Sequence, residues 1–392
     1  MRRIAGWAPL AAVMLLLGAA CGGGSGRAAV PSTTSTTMSM PSGPASPSTQ
    51  SAPTGTVDLQ TGAGPEVNVY AHTGVGMLAP QVANVPTRVY VPNSESNTVD
   101  VIDPATYRVV DHFNVGAKPQ HVVPSWDLST LYVNNNAGNS LTPIDPTSGK
   151  PGAPIPVEDP YNLYYTPDGT RAVVMAERMS RVEFRDPHTW ALVRSVPIAH
   201  SGVNHADFTP NGNIMIASCE FSGWLVRIDV STMQVTGELK VGGMPVDVRS
   251  SPDGRVMYVA NQGRGGVSIV DPAAMREVGF IPTGNGAHGL YPSRDGKDLY
   301  VSNRMAGSVS VIDFSTRSVV ATWPIGGSPD MGGVTADGRE LWLSGRYSQA
   351  VYVIDTLTGR LLHRIPVDRG PHGLCIFPQP GRFSVGHTGN YR

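Results

Sequence analysis

The feature that most constrains this sequence is an internal repeat of about 42 residues. Seven aspartates each end a short apolar segment, and the spacings between them are 42, 41, 43, 42, 42 and 42 residues. These residues are Asp103, Asp145, Asp186, Asp229, Asp271, Asp313 and Asp355. Such a period indicates repeated supersecondary units, each of which buries its apolar faces only against its neighbours.

Every copy contains the same series of short segments. The stretches LYVSN (299–303) and VSVID (309–313) alternate in polarity and are rich in β-branched and aromatic residues, which is typical of β-strands. A third strand such as VVATWPIG (319–326) leads into a fourth, and turn sequences such as SPDG (251–254) separate the copies. We interpret the repeated aspartates as structural, because an aspartate side chain closes a turn by accepting backbone hydrogen bonds.

Four strands in each of seven copies predict an all-β fold, a seven-bladed β-propeller with four antiparallel strands per blade over residues 88–392. The last inner strand, PHGLCIF (371–377), is predicted to complete the blade that residues 88–115 begin, so that the N- and C-terminal strands pair and close the ring. The tail RFSVGHTG (382–389) resembles another second strand and competes for that blade. Residues 57–87 are expected to pack on a face of the propeller.

Strands such as VYVPN (89–93) and MYVAN (257–261) give the chain a resemblance to the YVTN family of seven-bladed propellers over about residues 88–377. The resemblance implies the fold. It does not select one function, because the family includes surface-layer proteins, periplasmic binding proteins and relatives of the d1-haem propeller of nitrite reductase.

The first residues indicate export. Arg2 and Arg3 precede an apolar stretch (4–17) that is too short for a comfortable membrane span, so we interpret residues 1–20 as a signal peptide. The net charge of the whole chain is −1. With no basic excess, we expect no nucleic-acid partner.

The segment LGAAC (17–21) resembles a bacterial lipoprotein signal, which implies acylation of Cys21 and a position on the outer face of the cell membrane. Ordinary signal cleavage, followed by secretion, is the alternative. Residues 21–56 are dominated by Ser, Thr, Pro and Gly and predict a disordered tether. We expect a monomer that contacts the membrane through its lipid anchor alone.

One position of the seven inner strands is polar in every copy. Its residues are His121, Asn162, His205, Asp247, His288, Asp330 and His372. Inner strands line the channel of a propeller, so these side chains are predicted to converge near one axis. Imidazole and carboxylate groups are ligands for Zn, Cu or Fe, and the six His and Asp residues are therefore candidate metal ligands. A hydrogen-bonded polar ring without metal is the alternative, and a non-covalent haem with a histidine axial ligand is a further one.

A second set of polar residues is predicted to reach the rim of the channel. As candidate ligand-binding residues we select Asn162, Arg178, Glu220, Asn303, Arg304 and Arg346. The arginines could hold a carboxylate or phosphate in a bidentate manner, although arginines more often pair within the protein. This hypothesis predicts that Arg304→Ala and Arg346→Ala weaken binding of an anion with little change in melting temperature.

Catalytic signatures are absent from the sequence: it contains no CxxCH, no GxSxG elbow and no Walker loop. The first hypothesis is therefore a non-catalytic binding module whose rim takes a small anion, a glycan or an envelope protein. The alternative is a metal- or haem-binding oxidoreductase or carrier. Cys219 and Cys375 fall in non-neighbouring repeats, which predicts two buried free thiols.

Overall fold

The computed structural model describes residues 67–387 and 390–392. Its strands form seven antiparallel sheets, which are the seven blades of a β-propeller, and this confirms the predicted fold. We number the blades 1 to 7 from the N-terminal end of the repeats. The predicted signal peptide (1–20), Cys21 and the tether (21–56) lie outside the described residues.

The first fifteen strands of the described chain lie in blades 1 to 4. Blade 1 contains β1 (Arg88–Asn93), β2 (Thr98–Asp103) and β3 (Arg108–Asn114). Blade 2 contains β4 (Pro119–Pro124), β5 (Leu131–Asn135), β6 (Ser140–Ile144) and β7 (Ile155–Pro156). Blade 3 contains β8 (Asn162–Tyr165), β9 (Ala172–Ala176), β10 (Arg181–Arg185) and β11 (Leu192–Pro197). Blade 4 contains β12 (Val203–Phe208), β13 (Ile214–Cys219), β14 (Trp224–Asp229) and β15 (Gln234–Lys240).

The same order continues to the C-terminus. Blade 5 contains β16 (Pro245–Ser250), β17 (Met257–Asn261), β18 (Gly266–Asp271) and β19 (Arg276–Pro282). Blade 6 contains β20 (Ala287–Pro292), β21 (Asp298–Asn303), β22 (Ser308–Asp313) and β23 (Ser318–Pro324). Blade 7 contains β24 (Pro329–Val334), β25 (Glu340–Gly345), β26 (Ala350–Asp355) and β27 (Leu361–Pro366). The last strands are β28 (Cys375–Phe377), β29 (Ser384–Gly386) and β30 (Asn390–Tyr391), and two short 3-10 helices span Pro80–Val82 and Gln262–Arg264.

The ring closes as the sequence predicts. Strand β28 pairs in antiparallel fashion with β1, with Arg88 opposite Phe377 and Tyr90 opposite Cys375. The C-terminal strand is therefore the innermost strand of the blade that the N-terminal strands begin. Cys219 and Cys375 are buried free thiols, which confirms that prediction.

The hydrophobic core lies between the blades. Among the described residues, seven apolar clusters occupy the seven interfaces between neighbouring blades. The cluster between blades 3 and 4, for example, joins Phe184 of β10 to Phe208 of β12, and both side chains are fully buried. Full burial of one such side chain contributes about 1.5–3 kcal/mol, so the stacking of blades stabilises the ring.

The C-terminal tail (382–392) takes a different position from the one that its sequence suggests. Strand β29 does not join blade 1; it pairs with β8 through Gly386 and Tyr164, and β30 pairs with β29. The tail therefore extends the inner edge of blade 3 toward the channel axis. Blade 1 has no vacant position for the tail, because β28 already occupies its inner edge.

The described part of the N-terminal segment, residues 67–87, contacts the propeller at the end where the SPDG-type turns lie. The backbone amide of Val69 donates to Pro252 O at 2.8 Å, and the Tyr70 hydroxyl donates to Ser250 O at 2.6 Å. Val82 is buried in the apolar cluster between blades 1 and 2.

Candidate functional site

The polar position of the inner strands lies at a local irregularity of the sheets. In blades 2, 5, 6 and 7 the pairing between the first two strands shifts register at this position, for instance between Pro119 and Val122 and between Pro329 and Gly332, and in blade 4 it shifts one residue earlier. Such a bulge re-aims a side chain, as bulges next to functional sites commonly do. Here the bulged residues include His121 and Asp330.

The side chains at this position meet inside the channel. All seven residues are at most 2% exposed. The ring centroid of His121 lies 4.8 Å from that of His372 and 5.4 Å from that of His205. The rings of His288 and His372 are 6.0 Å apart. The channel is thus narrow enough at this level for side chains from several blades to contact one another.

Two groups of three side chains have the spacing that a metal ion requires. We call His121, His205 and His387 the tail triad, and His288, Asp330 and His372 the aspartate triad. Within each triad, one potential ligand atom per residue lies within 4.8 Å of the others, and all the residues are buried. Five of the six ligands predicted from the sequence belong to these triads. Whether they bind a metal stays a prediction.

His387 belongs to the site although the sequence analysis did not select it. It lies in the C-terminal tail, outside the repeat register, and its backbone amide donates to Leu163 O at 3.3 Å. The tail enters the channel at blade 3, where the repeat position is occupied by Asn162 instead of histidine or aspartate. The asparagine that interrupts the pattern and the histidine in the tail are the two sequence features that could have indicated His387 as a further ligand.

Hydrogen bonds orient two of the imidazoles. His205 Nδ1 lies 2.9 Å from Asn204 Oδ1, and His372 Nδ1 lies 3.1 Å from Gln120 O. Because these oxygens only accept, each Nδ1 carries the hydrogen and each Nε2 keeps its lone pair. Outer contacts of this kind are what fix the tautomer of histidines that bind metals.

Several imidazole nitrogens in the layer have no hydrogen-bond partner within residues 67–387 and 390–392. They include both nitrogens of His121, both nitrogens of His387 and Nε2 of His205. Burial lowers the pKa of His121 to about 3 and holds the pKa values of His205 and His387 well below the ordinary range. The tail triad is therefore neutral, which is the form that binds a metal.

The aspartate triad already contacts a cation from the protein. Arg304 Nη2 donates to Asp330 Oδ1 at 2.6 Å, and Arg304 also contacts His288 Nε2. Burial alone would raise the pKa of Asp330, but the Arg304 guanidinium holds that pKa well below its usual range. His288 Nδ1 lies 3.0 Å from Asp330 Oδ1 without the alignment of a hydrogen bond. His372 Nε2 is 3.6 Å from Asp330 Oδ2.

Two residues of the predicted ring join neither triad. The Asp247 carboxylate accepts backbone hydrogen bonds from Val248 and Leu290, each at 2.9 Å. Asn162 Nδ2 donates to the Tyr164 hydroxyl at 3.2 Å. Asp247 still lies beside the tail triad, because its Oδ1 is 3.7 Å from His387 Nε2.

Most of the predicted rim residues are engaged within the protein. Arg178 Nε donates to the buried Asp159 at 2.7 Å. The Asn303 amide nitrogen donates to the hydroxyls of Ser308 and Ser310 at 3.1 and 3.0 Å. Arg304 is paired with Asp330, as described above. These partners do not fit the expectation that Arg304 can be removed with little change in stability.

Arg346 differs from the other rim arginines. Its Nη1 donates to Ser94 Oγ at 3.0 Å and to Gly370 O at 3.3 Å. Within the described part of the chain it forms no ion pair with a carboxylate. Its charge also contributes to lowering the pKa values of His121 and His372. Among the described residues, Arg346 therefore places a positive charge near the channel layer without a carboxylate in direct contact.

An acidic pair lies on the opposite side of the mouth. Asn204 Nδ2 donates to Glu220 Oε2 at 2.6 Å and to Glu177 Oε1 at 3.1 Å, while its Oδ1 accepts from His205. Burial raises the pKa of Glu177 to about 8 and raises that of Glu220 as well. Asn204 thus connects the acidic pair at the mouth to the imidazole layer.

The seven four-stranded blades place this protein in the class of seven-bladed β-propellers. The chain is a member of the YNCE-like β-propeller family, whose model matches residues 59–381. A comparison with curated proteins gives no significant match.

Solved structures with the same fold come from proteins of different functions. A functionally unknown protein from Desulfotomaculum acetoxidans is 18% identical, with a TM-score of 0.65 over 74% of this chain and 98% of that chain. The dihydro-heme d1 dehydrogenase NirN is 16% identical, with a TM-score of 0.58 over 80% and 82%. Hydrazine synthase from Kuenenia stuttgartiensis is 20% identical, with a TM-score of 0.57 over 64% and 87%. At these identities the similarity concerns the fold alone.

Across residues 67–387 and 390–392, we find no helix with the length and apolar character needed to cross a membrane.

Proposed function

We propose that this protein is an exported, Cys21-anchored propeller that binds a transition metal ion in the imidazole layer of its channel. The observation that carries the proposal is the set of buried imidazole nitrogens without partners, namely both nitrogens of His121 and of His387 and Nε2 of His205. A buried polar atom left without a hydrogen bond costs about 1–3 kcal/mol, so a fold that keeps several together gains when a ligand satisfies them.

Imidazole nitrogen suits Zn, Cu and Fe, and the separations within each triad are compatible with ligands of one ion. Neutral imidazoles need not lose a proton before they bind a metal, which favours occupancy at neutral pH. Ordered water is the competing explanation for the unpaired atoms, because buried water commonly satisfies such groups. The metal content of the purified protein distinguishes metal from water.

A tetrapyrrole does not fit at this level of the channel. The imidazole of His121 is 4.6 Å from that of His387 and 4.8 Å from that of His372, measured between ring centroids. A haem whose iron bound one of these nitrogens would overlap the other rings and the inserted tail. We therefore propose a metal ion and not a haem.

The test is the metal content of the full-length chain, expressed with zinc, copper and iron supplied and purified in detergent without chelator. Elemental mass spectrometry should find about one tightly bound metal ion per chain. His205→Ala should lose that ion, since the variant removes a ligand of the tail triad. His188→Ala is the matched control, because His188 is exposed on a turn.

Metal-free wild-type protein under these conditions, with no binding when zinc or copper is titrated in, would overturn the proposal in favour of a water-filled layer. Equal metal content in the wild type, in His205→Ala and in His288→Ala would place the ion outside both triads and would also overturn the proposal.

Arg346 supports a second candidate function, the binding of a small anion at the channel rim. The side chain is only partly buried, and it donates to the Ser94 hydroxyl and to the Gly370 carbonyl oxygen. A guanidinium with unused donors can hold a phosphate or carboxylate in a bidentate manner. If the rim binds an anion in this way, Arg346→Ala binds phosphate more weakly than the wild type.

A further inference from the structure

The two triads of the channel differ in how much of their binding capacity the protein itself uses. In the aspartate triad, Arg304 donates to Asp330 Oδ1 through both Nε, at 2.9 Å, and Nη2, at 2.6 Å, and it contacts His288. A metal ion in that triad would have to displace a buried guanidinium or lie beside it. Two cations at such a distance in a dry interior repel strongly.

Among the described residues, no arginine or lysine donates a hydrogen bond to an imidazole of the tail triad. Its three members are imidazoles, and Nε2 of His205 has no hydrogen-bond partner among the described residues while its Nδ1 is bonded to Asn204. The ring centroids of His205 and His387 are 4.8 Å apart, and those of His121 and His387 are 4.6 Å apart. Three imidazoles with an open fourth position form a common arrangement for zinc and copper.

The C-terminal tail is held in the channel by specific contacts at its far end. Arg392 Nη2 donates to Asp207 Oδ1 at 2.8 Å and to Phe208 O at 2.6 Å, both in blade 4. The Asn390 amide also donates to Asp207 at 3.2 Å. The Tyr391 side chain is buried in the apolar cluster between blades 1 and 2. The tail thus connects several blades while it carries His387 to the axis.

The repeat itself supplies only two of the three imidazoles. His121 comes from blade 2 and His205 from blade 4, and blade 3 between them has Asn162 at the equivalent position. Strand β29 pairs with β8 of this same blade and brings His387 to the place where the repeat has no metal ligand.

We propose that the C-terminal tail completes the metal site: the ion binds in the tail triad, with His387 as its third ligand, and metal binding and tail docking stabilise each other. This inference rests on the proposed function. The linkage follows because an ion that binds the docked tail and not the undocked one must favour the docked state by its binding free energy.

The experiment compares apo full-length variants titrated with Zn²⁺, and with Cu⁺ under anaerobic reducing conditions, against a chromogenic chelator. We expect His387→Ala and His387→Gln to raise the apparent Kd by at least the roughly 10- to 100-fold that loss of an outer-shell partner costs. His188→Ala, whose imidazole is exposed on a turn, should stay within about threefold of the wild type, whereas loss of binding in His372→Ala would place the ion in the aspartate triad. Thermal unfolding of each apo variant verifies that it is folded.

Hydrogen exchange gives a second readout that a merely structural tail would not change. We expect metal to slow exchange of the backbone amide of Gly386 and of its neighbours in the wild type, and to have no such effect in His387→Ala. Arg392→Ala should weaken metal binding without removing a ligand, because it loosens the docked tail. Arg382→Ala is the matched control, since Arg382 lies in the same tail but is exposed.

The outcomes separate this inference from the proposed function. If the wild type binds no metal, both are wrong. If the wild type binds metal and the His387 variants bind it equally well, or if His372→Ala is the variant that loses it, the proposed function stands and the role of the tail is overturned.

Discussion

At the scale of single residues, Arg304 and Arg346 occupy equivalent repeat positions at the channel mouth but have different roles. Arg304 is 9% exposed and bonded to a fully buried carboxylate, so it compensates a charge inside the protein. Arg346 is bonded to neutral oxygens and keeps donors available. Burial and partners, and not the residue type, decide which arginine is free to bind an anion.

This difference predicts that alanine substitution of the two arginines affects stability and phosphate binding differently. Arg304→Ala should lower stability by about 3–5 kcal/mol, because it leaves the Asp330 carboxylate buried without its cation. Arg346→Ala should change stability by less than about 1 kcal/mol but should weaken the binding of inorganic phosphate. Urea unfolding and phosphate calorimetry check the two effects.

Arg360→Ala serves as the control, since Arg360 is exposed on a turn of blade 7. Phosphate affinity equal in the wild type and in Arg346→Ala would rule out the rim as the anion site. An Arg304→Ala variant as stable as the wild type would show that the Asp330 ion pair contributes nothing net.

At the scale of elements, each repeated aspartate closes the turn after the strand that it ends, such as β14 in blade 4, as its position in the sequence predicts. Asp229 Oδ1 accepts from the Thr232 backbone amide at 2.8 Å and from the Ser231 hydroxyl at 2.7 Å. Asp355 Oδ1 accepts from the Thr358 amide at 2.7 Å. The donor hydrogen bonds lower the pKa of Asp229, so its ionised form is the one that stabilises the turn.

Asp229→Ala should therefore destabilise the protein by about 1 kcal/mol at pH 7, the usual net value of a hydrogen bond. Because the folded-state pKa lies below the ordinary aspartate value of 3.8, this contribution is fully present above that pH and is lost as the pH falls through the folded-state pKa. Urea unfolding of the wild type and variant at pH 7, 5 and 3 measures the difference.

Asp229→Asn retains an acceptor oxygen and should recover part of the lost stability at pH 7. A difference between wild type and Asp229→Ala that is as large at pH 3 as at pH 7 would contradict the role given to the ionised carboxylate.

At the scale of the whole molecule, the circle is closed by hydrogen bonds between β1 and β28 and not by a covalent link. Tyr90 stands directly opposite Cys375 across these strands. Paired residues in antiparallel strands have Cα atoms about 4.5–5.5 Å apart, a distance that a disulfide can span.

Tyr90→Cys should consequently form a disulfide with Cys375 that locks the ring. The oxidised variant should be more stable than the same variant reduced, by about 4 kcal/mol, because the bond constrains almost the whole propeller in the unfolded state. Comparing two redox states of one chain removes the cost of losing the tyrosine side chain. Thermal unfolding with and without reductant provides the measurement.

Tyr90→Cys combined with Cys375→Ser controls for effects of the reductant itself. Identical unfolding of the oxidised and reduced forms, with the disulfide verified by mass spectrometry, would mean that the β1–β28 contact does not limit unfolding.

The sequence alone determined the blade number, the strand pattern, the closure and the channel-facing position, because each is set by the repeat and by the two-residue period of strands. His121 and Asp330 were found in this way. Local patterns do not specify contacts between residues that are remote in the chain, however, and the pairing of Arg304 with Asp330 is of that kind.

The position of the C-terminal tail was decided by tertiary structure. Its residues RFSVGHTG have the pattern of a strand, but this pattern does not specify which sheet edge the strand pairs with. Because β28 occupies the inner edge of blade 1, the tail pairs instead with the inner edge of β8. Arg392 then donates to the Asp207 carboxylate, which stabilises the tail in the channel. His387 reaches the axis for this reason, since its neighbours in space are assembled only when the ring has formed.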